Sequence, residues 1–318
     1  MNSTIDRKRI FIFVAIAYGI SIALALVVFL NGGIYISYPM RMRPLAFTLM
    51  AVLMFAPMVA HVATRLITRE GWSNTLLRPN FRRGWRFYLA ALFLPALATI
   101  VGATIYYLLF PSRFDPSMTY ARDTWGLVPT VGITDPWTFL ITQTPITIVL
   151  SILTVPLMLG EEFGWRAYLL PKLMPLGARK AVLLVGVIHG AWHWPFFLMG
   201  YNYGFDYWGA PVVGALLYLV IVCFLSTLLA WVTLRSGSVW PAALAHGVIN
   251  ASANWTLVFS SGAADPLLGP LPVGIIGSLG YALLALLIFF SARALAPTGS
   301  PRPVESKAVQ EAAHQLTA

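Results

Sequence analysis

The sequence predicts an all-α, polytopic membrane helix bundle of about eight transmembrane helices, on three observations. Hydrophobic residues make up 58% of the chain and charged residues only 10%, with a mean hydropathy of +0.77, well outside the range of a water-soluble domain. Eight apolar stretches approach the roughly 20 residues that a helix needs to cross a bilayer. The basic residues alternate between the gaps: of the 21 Lys and Arg, only Arg41, Arg43, Arg113 and Arg122 fall outside when the N-terminus is placed in the cytoplasm. That alternation predicts both termini on the cytoplasmic side.

In chain order the stretches run from Ile10 to Leu30, Pro44 to Ile67, Phe87 to Phe110, Thr138 to Leu159, Ala181 to Met199, Pro211 to Leu234, Val239 to Ser260 and Leu271 to Ala292. The first follows Arg7-Lys8-Arg9 but is about twice as long as a signal-peptide core, so it reads as a retained span. The gap from Pro111 to Trp137 reads as a loop, and the Pro-containing polar tail after Ala296 as disordered. The expected organisation is N-terminal helices over 1–137, a helical core over 138–260, a last span in 261–296 and a cytoplasmic tail over 297–318.

Composition also narrows function. A formal charge of +10 could suit nucleic acid, but the basic residues sit in short loops between apolar runs, where they set topology and meet anionic lipid. The partners expected are the bilayer and a membrane-embedded peptide or protein, with no nucleic acid. Cys223 stands alone in an apolar run, so neither a disulfide framework nor thiol chemistry is indicated.

Ionisable groups inside such spans are costly, which makes each a candidate site. Adjacent carboxylates Glu161 and Glu162 end the fourth stretch. Glu162 and Arg166 are four apart with the acid first, the favourable order for a helical ion pair, whereas Glu161 points about 100° away with no local cation on its face. His189 and His193 share one face of the fifth stretch, with Pro195 expected to bend the helix beyond them. His246 and Asn250 share a face of the seventh, among small residues that allow a neighbouring helix to approach. Counted from the cytoplasmic boundaries, His193 lies roughly 18 Å deep and His246 roughly 11 Å deep, so the three groups can meet in the inner half of the membrane. His61 is read as structural, with no polar partner at helical spacing, and Tyr201, Tyr203 and Tyr207 as an outer aromatic belt.

Carboxylate, imidazole and amide in a low-dielectric pocket suit hydrolysis by activated water: an acid and an imidazole share the proton taken from water, and a second imidazole with an amide can hold an oxyanion. No Ser or Cys nucleophile stands beside these groups, and a His-Glu-x-x-His zinc motif is absent. An i, i+4 His pair can nonetheless bind a metal.

Glu-Glu-x-x-x-Arg, then Gly-x-x-His-Gly-x-Trp-His-x-Pro, then His-x-x-x-Asn, between Gly160 and Asn250, resembles the CPBP family of CAAX proteases and bacteriocin-processing enzymes, also called the ABI family. The resemblance implies an intramembrane endopeptidase with a cavity open to the cytoplasm, acting on a membrane-embedded or lipidated peptide in the cell membrane, with a prokaryote the expected setting. It implies Glu161 as the water-activating base, His193 as its partner, His246 with Asn250 as the oxyanion site, and Glu162 with Arg166 as a supporting pair. His189 stands where the family often has Phe, which leaves open whether it joins the site or helps to hold a metal. No obligatory cofactor is expected, with zinc as the alternative. Two other readings stay open: a cation or proton-coupled transporter using the same cluster, and a non-catalytic membrane scaffold.

Overall fold

The structure is a computed structural model and describes residues 4–37, 41–125, 135–291 and 293–296. It is mostly helical. α1 (Arg7–Leu30) leads through a short antiparallel ribbon, β1 (Tyr35–Ser37) and β2 (Arg41–Met42), to α2 (Pro44–Leu53) and α3 (Ala56–Thr68). α4 (Phe81–Leu109), α5 (Thr119–Trp125), α6 (Pro136–Leu153) and α7 (Val155–Gly164) follow. After a π-helical turn (Trp165–Leu169) come α8 (Leu170–Leu173), α9 (Ala178–Trp192), α10 (Trp194–Phe197), α11 (Val212–Ser236), α12 (Trp240–Ser252) with a 3-10 extension, and α13 (Leu279–Phe290). Among the described residues, five segments are long and apolar enough to cross a membrane: Arg7–Leu30, Pro44–Thr68, Phe81–Leu109, Pro136–Leu153 and Val212–Ser236. The chain is an integral membrane protein; α9, α12 and α13 are shorter than the spans read at their positions.

Three of the apolar stretches are broken, each beside a proline. α2 gives way to α3 at Met54 and Phe55 ahead of Pro57, α6 to α7 at Thr154 ahead of Pro156, and α9 to α10 at His193 ahead of Pro195. A proline ring denies the helix one N–H and crowds the preceding turn, so the break falls just before it. The freed carbonyls find other partners. Phe196 N bonds His193 O, and the Trp192 carbonyl accepts instead from Ser21 Oγ on α1 at 2.9 Å. Trp192 Nε1 donates to Ala17 O at 3.0 Å and Tyr18 Oη to Ile188 O at 2.7 Å. α1 therefore clamps the His189–His193 segment from both ends.

α7 lies against α3, and α12 against α4, α6 and α7. At Gly160 a Cβ would stand 2.6 Å from the Met54 carbonyl, so the broken helix pair can reach the Glu161 turn only because that position has no side chain. Gly247 does the same for α12: its Cβ would meet the Ser151 carbonyl of α6 at 2.9 Å.

Several expectations from the sequence are corrected. His61 has a partner at helical spacing after all: Arg65 Nε donates to its Nε2 at 2.6 Å, while its Nδ1 donates to the Phe163 carbonyl at 2.9 Å, so the residue braces the turn just after the two carboxylates. Tyr203 is not in a surface belt but buried, with its hydroxyl on Val273 O at 2.6 Å, and Tyr201 lines an internal cavity. The segment after Pro111 is partly helical, with the Asp115 carboxylate accepting from Ser117 N and Thr119 N at the start of α5. The tail over 297–318 lies outside the described residues.

Beneath α7, Glu70 ties three elements together. It accepts from Lys172 and from Tyr168 Oη at 3.0 Å, and Arg9 Nε approaches at 3.4 Å. Burial alone would raise its carboxyl, but the Lys172 and Tyr168 hydrogen bonds and the Lys172 and Arg65 charges outweigh that and hold it below its ordinary range. A depressed carboxylate stabilises the fold above its unfolded value and ceases to as pH falls through the folded one. Glu70→Gln should therefore lower the melting temperature at pH 7 by an amount worth about 1 kcal/mol, as expected of a partly exposed ion pair. The gap between variant and wild type should close as the pH of thermal unfolding is taken below 4.5, the ordinary glutamate value.

Candidate active site

α7 carries both carboxylates into the interior, where Glu161 is 4% exposed and Glu162 fully buried. Successive positions on a helix face about 100° apart, so the two acids serve different neighbours. Glu162 Oε1 accepts from Arg166 Nη1 at 3.0 Å and from His246 Nδ1 on α12 at 2.9 Å. Arg166 sits in the π-helical turn, where bonds run i to i−5, as from Leu170 N to Trp165 O. Such a widened turn re-aims side chains and is frequent at functional sites. The guanidinium is fully buried, and its Nη1 also stands 3.4 Å from His189 Nδ1.

Hydrogen-bond direction assigns the imidazoles. Arginine only donates, so His189 Nδ1 accepts and its Nε2–H donates to Glu161 Oε2 at 2.8 Å. A carbonyl only accepts, so His193 Nδ1–H donates to His189 O at 3.0 Å and its Nε2 is left for the cavity. By the same logic His246 Nδ1–H is committed to Glu162, and its other nitrogen is the one available to a ligand. One continuous chain thus runs His246, Glu162, Arg166, His189, Glu161 across α12, α7 and α9.

The direct partner of Glu161 is therefore His189, which the resemblance leaves without a role; His193, which the resemblance pairs with Glu161, comes close to both. One ligand atom from each of Glu161, His189 and His193 lies within 4.8 Å of the others. Asn250, one turn beyond His246, makes only a 3.4 Å contact with Met158 Sδ, a weak acceptor that leaves the amide free to bind something better.

These groups open onto a cavity of about 260 Å³ lined by Glu161, His193, His246 and Asn250 together with Phe47, Met50, Met54 and Leu157. A second cavity of about 510 Å³ shares His193, His246 and Asn250 with it and runs on along α11. Tyr201 and Tyr218 line both, and neither is singled out by the sequence as a site residue. Their signal is faint: a tyrosine in an apolar helix suits an interface anchor equally well.

Trp165 stacks on His189 at 5.0 Å between ring centroids and holds the imidazole plane from the other side. Glu162 Oε2, Arg166 Nε, Arg166 Nη2 and Trp165 Nε1 are buried without a hydrogen-bond partner. Removing one charge from this pocket would leave the other uncompensated. Arg166→Met should cost about 3–5 kcal/mol of stability, read as a fall in melting temperature in detergent, and Glu162→Gln combined with Arg166→Met should recover part of it because no lone buried charge remains.

No curated protein matches the chain. Residues 139–252, which run from α6 through α12 and contain every residue of the hydrogen-bonded chain, match the family described as type II CAAX prenyl endopeptidase Rce1-like. Over that segment, therefore, the chain is similar to the Rce1-like CAAX prenyl endopeptidases.

Proposed function

We propose that the protein is an intramembrane endopeptidase that hydrolyses a peptide bond in a lipidated or membrane-embedded substrate by activated water. The observation that carries this reading is the cavity shared by Glu161, His193, His246 and Asn250, contributed by three separate helices and backed by the buried Glu162–Arg166 pair. Glu161, oriented by the His189 N–H on one oxygen, takes a proton from water with its other oxygen while His193 Nε2 accepts from the same water. The resulting hydroxide attacks the scissile carbonyl carbon. Negative charge gathers on the carbonyl oxygen, where the Asn250 amide and the outer N–H of an imidazolium His246 can donate. Collapse of the tetrahedral intermediate breaks the C–N bond, and the proton held by Glu161 passes to the departing nitrogen.

The positive-inside distribution supports eight spans with both termini in the cytoplasm, the shorter α9, α12 and α13 completing the count beside the five long segments. Met42, Met50 and Met54 along one arm of the cavity give an adaptable apolar wall suited to a lipid chain or an apolar peptide.

The cluster of Glu161, His189 and His193 favours a second reading, a divalent-cation site used in catalysis or transport. The donor set fits a zinc ion poorly. A metal on His189 Nε2 would displace the N–H that Glu161 accepts and would leave the other ring nitrogen facing a buried guanidinium, where a metal-bound histidine normally donates to an acceptor.

Purified protein in nanodiscs should cleave a quenched-fluorescent peptide bearing a farnesylated cysteine, and Glu161→Gln should abolish cleavage without altering the melting temperature by more than a degree or two. Activity should persist after exhaustive treatment with a membrane-permeant chelator. Cleavage by Glu161→Gln at the wild-type rate would remove the mechanism, and activity lost to chelation and restored by zinc would favour the metal reading.

A further inference from the structure

α11 turns a single stripe towards the second cavity: Tyr218, Ile221, Val222, Leu225 and Leu229, spaced at helical period. Tyr218 is the one polar residue in that stripe, and it is fixed. Its ring packs on Phe197 at 4.4 Å between centroids and meets His193 edge to face at 5.2 Å. It borders both cavities at the place where His193, His246 and Asn250 do. Among the described residues its hydroxyl has no protein hydrogen-bond partner, whereas Tyr18, Tyr107, Tyr203 and Tyr281 each place theirs on a backbone carbonyl. A phenol in an apolar wall, held beside the catalytic imidazole and left without an acceptor, is a donor waiting for one.

Resting on the endopeptidase reading, we infer that Tyr218 is a further catalytic residue, whose hydroxyl donates a hydrogen bond to the oxygen of the scissile carbonyl as it becomes an oxyanion. It approaches from α11 while Asn250 approaches from α12, so the oxygen is gripped from two helices. The proton stays on the phenol throughout, and the bond strengthens as charge develops. Such a donor acts on the transition state more than on substrate binding, which separates it from a residue that only shapes the cavity.

Tyr218→Phe keeps the ring contacts with Phe197 and His193 and removes the hydroxyl alone. Against the same farnesylated peptide, with wild type and Glu161→Gln assayed in parallel, it should lower kcat about 100- to 1000-fold, as loss of one oxyanion donor does, while KM changes by less than about threefold. Wild-type cleavage that is absent in Glu161→Gln upholds the endopeptidase reading whichever way Tyr218 falls. An unchanged kcat in Tyr218→Phe, or a loss carried by KM alone, overturns the role of Tyr218. If Tyr218→Phe does not accumulate, trifluorotyrosine incorporated at 218 tests the same point: its more acidic phenol should move the alkaline limb of the kcat profile to lower pH, and an unmoved limb overturns the inference.

Discussion

The buried ion pair of Glu162 and Arg166 is the interaction on which the rest depends. Two adjacent carboxylates at the end of an apolar stretch can enter the interior only if one of them is neutralised there, and the guanidinium one helical turn away does so at 3.0 Å with both side chains fully buried. The same guanidinium faces His189 and fixes its proton on the nitrogen that holds Glu161, while the Glu162 oxygen that accepts from the guanidinium also accepts from His246 and seats it. A single charge thus sets the orientation of acid, imidazole and imidazole on three helices. This is the kind of buried polar network that specifies one arrangement because half-satisfied alternatives are so costly.

The fold supplies the rigidity that network needs. Helix breaks before Pro57, Pro156 and Pro195 put short turns, rather than continuous rods, at the centre of the bundle, and at the last of them the Trp192 carbonyl is taken up by Ser21 of α1. His61 braces the Phe163 carbonyl and α1 clamps both ends of the His189–His193 segment. Positions remote from the cavity, such as Ser21 and Ala17, therefore bear on where the imidazoles point.

Much of this is legible in the sequence, and the boundary of legibility is physical. Interactions local to one helix can be read from spacing, and the Glu162–Arg166 pair is of that kind. So is His61 with Arg65, although reading the isolated sequence treats His61 as unpartnered. The prolines mark the breaks for the same local reason. What spacing does not carry is the choice between neighbours on different helices: that Glu161 bonds His189 before His193, that His246 turns one nitrogen to Glu162, and that Tyr218 and Tyr201 face inwards. The short ribbon of β1 and β2 escapes notice because two or three residues give too little alternation to read.

The most direct test of the account is an experimental structure with a peptide aldehyde bound, since the aldehyde hydrates to a mimic of the tetrahedral intermediate. The hydrated carbon should lie in the cavity between Glu161 and Asn250, with one of its oxygens within about 3 Å of the Glu161 carboxylate and the other reaching the Asn250 amide. An aldehyde carbon seated away from Glu161, against the lipid-facing surface or beyond reach of α12, would contradict it.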